Sequence, residues 1–340
     1  MYTKPVLSAI IPNYNHANYI AEAIEALLAQ SYDAKEIIIV DDASTDNSIE
    51  IIERYMHSSD SIRLLKNEVN LGVFKAFRKG LDVSTGEFIY AGAADDRLKP
   101  GLFEKSVALL SQYPQSNMCC ANVEAIDGKG KHLFDLVNPE DTQNAFTPPE
   151  KIPELIKKGW QGLDLLGYST IYRRVAFIEA GGSIGQLGFL HDIFLRYIIA
   201  FKSGFCYINE VLTSARFHSD EQYSEKMMRD FDQSFAFFSN FLYFLKNHKD
   251  SSIVPKEFIT SRENMYARGL YSCMKHIFYV KQSALLDEMK RLKGANSPMD
   301  ETIKGFVSIL MKLERYLAYV YCNRNFAREL KDSSCRLRDV

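Results

Sequence analysis

The chain has 340 residues, 46% of them hydrophobic and 25% charged, which is the make-up of a globular protein with room for one large domain and an extension. Its 41 Lys and Arg nearly balance 43 Asp and Glu, so a net charge of −2 gives no bulk attraction for nucleic acid, and none is expected as a partner. The six cysteines (Cys119, Cys120, Cys206, Cys273, Cys322 and Cys335) form no C-x-x-C pair and have no zinc-finger spacing, which predicts buried, reduced thiols. No run of about 18 apolar residues occurs, and Met1–Lys4 leads straight into a strand-like segment, so the expected setting is cytoplasmic.

In chain order, Val6–Ile11 is a short apolar run that stops at Pro12, as a buried strand ending in a loop would. Ile20, Ile24, Leu27 and Leu28 then repeat at helical spacing. Ile37–Val40 is apolar at every position, which predicts a parallel strand covered on both faces. Ser44–Ser48 offers N-caps for a second helix, Ile62–Leu65 reads as a third strand, Val73–Leu81 as a third helix, and Phe88–Ala91 as a fourth strand. This alternation predicts an α/β fold, a mostly parallel sheet with helices on both faces. In such sheets ligands gather beyond the carboxyl ends of the strands, where this chain carries Asp41-Asp42 and Asp95-Asp96. Carboxylates crowded at one sheet edge repel, and a hard divalent cation or the donors of a ligand would relieve that cost. Each pair alone reads equally well as a turn or helix cap.

Four ordered segments, Ser8–Asn15, Val40–Asp46, Asn70-Leu71-Gly72 and Gly86–Ile89, resemble family-2 glycosyltransferases of the GT-A fold, a Rossmann-like architecture. A further match around Asp192 extends the resemblance to about residue 220. It implies a GT-A domain over 1–220, divided into a nucleotide-sugar half (1–115) and an acceptor half (116–220), with 221–340 as a helical C-terminal extension. By the same resemblance Pro12, Asn13, Tyr14 and Asp42 hold the nucleotide base. The family's D-x-D motif falls on Ala93-Ala94-Asp95-Asp96, where alanine replaces the first aspartate. Asp96 is then the metal ligand for Mn²⁺ or Mg²⁺, and Asp95 a ribose or outer contact. Gly188–Arg196 resembles the segment that supplies the general base, with Asp192 in that position. Helical spacing also allows Asp192 simply to pair with Arg196. Arg216-Phe217-His218 resembles a segment that approaches the diphosphate or metal, which makes His218 a second candidate ligand. Lys75 and Arg78 are candidate diphosphate contacts or members of a solvated helix face. The implied reaction is transfer with inversion from a nucleotide-diphosphate sugar, UDP by default, to a hydroxyl of a glycan or lipid-linked saccharide in bacterial surface-glycan synthesis.

Other strings carry less. Gly181-Gly182-Ser183-Ile184-Gly185 matches G-x-S-x-G, but a helical pattern precedes it where a nucleophile elbow needs a strand. No G-x-G-x-x-G opens a helix after the first strand, and there is no G-x-x-x-x-G-K-[ST], which removes dinucleotide and P-loop readings. Trp160, between Gly159 and Gln161-Gly162, is a candidate for stacking on a sugar or for packing. A sugar-phosphate nucleotidyltransferase would want a Gly-rich basic loop in place of Pro12–His16, and Ala93 is the only support for a catalytically silent scaffold subunit. Beyond Glu221 two apolar stripes, Phe231–Leu245 and Ile303–Leu317, predict helices, and Lys and Arg outnumber Asp and Glu from Phe241 onward. This region is read as a packing subdomain, an oligomer contact, or a basic aromatic surface resting on anionic lipid at the inner face of the membrane.

Overall fold

The structure, a computed structural model, describes residues 4–32, 35–137, 145–157, 162–217, 231–263 and 265. Trp160, His218, Cys273, Cys322, Cys335 and the Ile303–Leu317 stripe lie outside the described residues. The chain divides into a compact unit over Met1–Ile259 and a second over Thr260–Val340.

The expected alternation is present: β1 (Leu7–Asn13), α1 (Ile20–Leu28), β2 (Lys35–Asp41), α2 (Ser48–Met56), β3 (Ile62–Lys66), α3 (Val73–Val83) and β4 (Phe88–Ala91). These strands pair in parallel in the order β3-β2-β1-β4. Strand β1 runs one turn of pleat further than the sequence suggests, through Pro12 to Asn13. The reason is where β4 ends. Gly92 N already donates to Ile10 O at the last rung on that side, so the missing N–H of Pro12 leaves no ladder bond unmade.

The all-apolar run of β2 is buried on both faces. Ile37 and Ile39 join Ile20, Ile24, Leu27 and Ile52 in one core, while Ile38 and Val40 meet Ala76 of α3 in another. Burying each such side chain stabilises the fold by about 1.5–3 kcal/mol. A Cβ at Gly80 would sit 2.6 Å from an Ile10 methyl carbon and 3.1 Å from one of Val40, so the glycine lets α3 lie close on the sheet.

The second part of the sheet was not apparent in the sequence. It contains β5 (Arg97–Leu98), α4 (Leu102–Gln112), β6 (Met118–Asp127), β7 (His132–Leu136), β8 (Ala145–Thr147), α5 (Ile152–Lys157), α6 (Gly162–Leu165), β9 (Ile171–Arg173), α7 (Arg174–Glu179), α8 (His191–Ser203) and β10 (Phe205–Phe217). Strand order continues β4-β9-β6-β10-β5, with β7 added on β6 and β8 on β10. The β6–β10 pair is parallel, and β9 runs antiparallel to both β4 and β6. Cys119, Cys120 and Cys206 are buried free thiols in this part of the sheet. Helix α9 (Phe231–Asn247) buries Phe241 and Leu245, and Phe241 and Phe244 meet the Phe194 ring of α8 edge-on at 6.0 and 5.9 Å. Among the described residues no helix is long and apolar enough to cross a membrane.

Candidate active site

The two acidic pairs lie at strand ends, and each has a different surrounding. Asp41, fully buried, accepts from Asn13 Nδ2 (2.8 Å), Ser44 Oγ (2.7 Å) and Ser44 N (2.9 Å). It thereby clamps the loop after β1 to the loop after β2. Asn15 and Ala43 adopt left-handed backbone (φ 56° and 63°) on the two sides of this clamp, and Asn15 Oδ1 accepts from Thr45 N at 2.7 Å. Left-handed non-glycine residues are costly, and they persist where surrounding bonds hold them.

Asp42 faces the next loop. Its Oδ1 accepts from Asn67 Nδ2 (2.7 Å) and Leu71 N (2.9 Å), and its Oδ2 from Gly72 N (2.7 Å). The separate motifs Asp41-Asp42 and Asn70-Leu71-Gly72 are therefore one construction, with Gly72 at φ 86° just before α3. Tyr14 is 44% exposed, whereas the Asn13 side chain is buried against Asp41.

Beyond β4, Asp96 is almost fully buried and its Oδ1 accepts from Arg216 N at 2.9 Å. Burial and the neighbouring Asp95 push its carboxyl well above the usual range, against the pull of Arg216. Arg216 ties this corner together. Its Nε donates to Asp95 O (2.8 Å), its Nη1 to the carbonyls of Asp127 (3.2 Å) and Gly128 (3.3 Å), and its Nη2 to Glu22. The guanidinium also lies over the Tyr19 ring, 4.7 Å from the centroid. Arg216 is thus spent on the protein's own groups, a role the sequence did not signal. A buried carboxylate held at high pKa beside a second aspartate is a donor set that suits a hard divalent cation. Among the described residues one trio of His, Asp and Glu side chains, Glu124, His132 and Asp135, brings its ligand atoms within 4.8 Å of one another. It sits on the β6–β7 hairpin and does not include Asp96, and Lys99 already lies 3.1 Å from Glu124.

On the other side of the sheet edge, α8 opens at His191 and carries Asp192 in its first turn. Arg196 Nη1 donates to Asp192 Oδ2 at 2.7 Å. Arg196 is only 1% exposed and is held by Leu163 O (2.6 Å), while the Asp192 side chain is 42% exposed. Burial alone would raise the Asp192 pKa, but Arg196 and then His191 outweigh it and hold the carboxyl below the usual aspartate value. Asp192 is therefore an ionised, solvent-reachable carboxylate fixed from behind by a buried cation. Gly167 makes the fit possible, because a Cβ there would overlap the Arg196 guanidinium and come within 2.7 Å of Asp192 Oδ2. The next residue, Tyr168, has its phenol pKa raised by burial, then by Asp96 and Asp192, so its ring lies within electrostatic reach of both carboxylates. Neither Gly167 nor Tyr168 stands out in the sequence, since their importance lies in contacts with distant side chains.

Arg78 pairs with Asp82 at 2.8 Å on the exposed face of α3. With Lys75 and Phe74 it lines a hollow of about 730 Å³ whose other wall is Ser183, Gly185 and Gln186. Phe74 meets the His191 ring edge-on at 5.0 Å, which sets this hollow next to the start of α8. The Gly181–Gly185 string follows α7 directly, with Gly181 and Gly182 at positive φ, and no strand–elbow–helix exists there.

Carboxylates beyond the carboxyl ends of parallel strands mark a ligand site on an α/β sheet. The model of "Glycosyl transferase family 2" matches residues 8–181, and the chain belongs to that family. Its fold is that of the GT-A glycosyltransferases. EpsE of Bacillus subtilis is 38% identical over 160 residues, 47% of this chain and 54% of the relative. Glycosyltransferase GlyG of Streptococcus pneumoniae is 38% identical over 99 residues, 29% of this chain and 33% of the relative. The chain thus spans about half of the first relative's length and a third of the second's. Among solved structures, residues 1–349 of TarS from S. aureus align with a TM-score of 0.55 at 17% identity, over 78% of this chain and 70% of that one. The mannosyltransferase PcManGT from Pyrobaculum calidifontis, in complex with GDP-Man and Mn²⁺, aligns with a TM-score of 0.55 at 15% identity, over 94% of this chain and 84% of that one. At these identities the likeness is one of fold.

Proposed function

We propose that this glycosyltransferase moves a sugar with inversion from a nucleotide-diphosphate donor, UDP by default, to a hydroxyl of a surface-glycan acceptor, with help from Mn²⁺ or Mg²⁺. The observation that carries the reading is Asp192, a half-exposed carboxylate kept ionised by buried Arg196 and flanked by a tyrosine that feels both it and Asp96. Asp192 would take the proton of the acceptor hydroxyl as its oxygen bonds to the anomeric carbon. The bond from that carbon to the diphosphate breaks on the opposite face, and its electron pair leaves with the nucleotide. A bound cation would neutralise the charge growing on the diphosphate. Asp96 would hold it, with Asp95 behind; His218, the other proposed ligand, lies outside the described residues. Pro12, Asn13, Tyr14 and Asp42 are assigned to the base, Asp42 acting by shaping the loop that carries Leu71 and Gly72. Arg78 is assigned to the diphosphate, reached by exchanging its exposed partner Asp82.

Support from outside the chain is that solved GT-A neighbours were captured with nucleotide sugars, TarS with UDP-GlcNAc and PcManGT with GDP-Man and Mn²⁺. We assign 1–115 to the donor, 116–220 to the acceptor and 221–340 to a helical C-terminal region that serves packing, oligomerisation or contact with anionic membrane. Calorimetric titration of UDP, GDP and dTDP, each with and without Mn²⁺, tests the donor site, and one nucleotide should bind in a metal-dependent way lost in Asp96→Ala. Replacing Asp192 with Asn should abolish transfer and leave that affinity nearly unchanged; persistent transfer would overturn the base assignment.

A further inference from the structure

Three aromatic rings from separate elements line up on the surface beside the site. Phe134 on β7 is 48% exposed, and its ring centroid lies 5.9 Å from that of Phe217 at the end of β10. Phe217 in turn lies 6.5 Å from Tyr168, which is 39% exposed. Strand pairing explains the alignment. Phe134 is opposite Ala125 and Ala125 is opposite Ala215, so the three share one face of the sheet. Phe217, two residues after Ala215, rises from that same face.

The rings are tilted to each other by 52° and 57°, so they do not use up their faces on one another. Two exposed rings joined by a half-buried one offer a binding surface. Its inner part adjoins the site along the chain. Tyr168 follows Gly167, which packs against Asp192 and Arg196, and Phe217 follows Arg216, whose N–H donates to Asp96. The outer rim is polar, with His132 at the start of β7 and Asp127 beside Lys129 and Lys131 at the β6–β7 turn. A pyranose ring matches the strip, since it offers an apolar face of C–H groups to a π-system and keeps its hydroxyls for the polar rim and water.

We propose that Tyr168, Phe217 and Phe134 form a run of acceptor subsites on which successive rings of an oligosaccharide stack. The terminal sugar lies at Tyr168 with its hydroxyl toward Asp192, and the preceding sugar lies across Phe217 and Phe134. The acceptor is therefore a saccharide of at least two rings. This rests on the transferase reading above.

The test presents the full-length protein to immobilised mono-, di- and trisaccharides of glucose, galactose, mannose, rhamnose and N-acetylglucosamine. Binding of UDP, GDP and dTDP with Mn²⁺ is followed on the same samples. The di- and trisaccharide of at least one sugar should be retained more strongly than its monosaccharide. Phe134→Ala should weaken that retention about tenfold, and Phe134→Trp should keep it. Equal retention of all lengths, or unchanged retention in Phe134→Ala, overturns the inference. Retention of no saccharide by a protein that binds nucleotide also overturns it and leaves the transferase reading standing. Failure to bind any of the nucleotides removes that reading and the inference with it.

Discussion

The Arg216 guanidinium donates to the Glu22 carboxylate, joining the last strand of the sheet to its first helix over 194 residues of sequence. The same side chain holds Asp95 through its carbonyl, while its backbone N–H holds Asp96. One buried cation thus sets the shape of the corner assigned to the metal. Arg216→Ala strands the carbonyls of Asp95, Asp127 and Gly128 without this donor, while Glu22 keeps Arg97 Nη1 at 2.7 Å. It should cost about 1–3 kcal/mol of stability, as leaving buried acceptors unsatisfied does. Urea unfolding would measure this, and Arg216→Lys should recover only part of it because an ammonium cannot serve four directions at once.

The acid limb of the rate profile should lie low. Asp192 in the folded protein ionises below the usual aspartate value, first because Arg196 outweighs burial and then because His191 adds to it. A base with a depressed pKa stays active as pH falls until that folded pKa is crossed. In Arg196→Gln the carboxyl loses its cation, so the limb of kcat against pH should move upward. An unmoved limb would mean that Arg196 does not set the charge of Asp192.

Gly167→Ala tests positioning without touching a charge. The new methyl group must displace the Arg196 guanidinium or the Asp192 carboxylate. Transfer should fall at least about tenfold, equivalent to about 1.4 kcal/mol in the barrier, while nucleotide affinity measured by calorimetry stays within a factor of about two.

Gly72 is a different kind of glycine. Nothing lies within 4 Å of a Cβ placed there, so space is not the constraint. Its φ of 86° with ψ of 153° is a backbone conformation open almost only to glycine. Gly72→Ala should therefore destabilise by about 1–3 kcal/mol, and weaken nucleotide binding by loosening the N–H that Asp42 holds. Thermal unfolding and calorimetry on one sample would check both.

Legibility in the sequence followed the range of the interactions. The strand Ile37–Val40 and the helix Val73–Leu81 were readable because local apolar pattern and helical spacing specify them. The insertion of β9 between β4 and β6 was not, since three residues carry no period and their partners lie far along the chain. The acidic pairs were visible at strand ends, but their different roles in packing were not. Asp41 closes onto Asn13 and Ser44, and Asp42 onto a loop about 30 residues away. The resemblance named Asp192 for chemistry and helical spacing named Arg196 as its partner, and the geometry shows that pair. Gly167, Tyr168 and Glu22 became visible only once side chains from other elements reached them.

Strand β9 has a mechanical consequence. Through it the hydrogen-bonded ladder passes without a gap from β4, at whose end Asp95 and Asp96 follow, to β6 and β10. Tyr90 of β4 adds a rivet across the same seam, its hydroxyl donating to Tyr168 O at 3.1 Å. The two parts of the sheet are therefore one continuous plate and cannot swing against each other as hinged lobes would. Closing around a donor is then expected of the loops and helices along the plate's rim, while the strand register from β4 through β9 to β6 should be the same before and after it arrives.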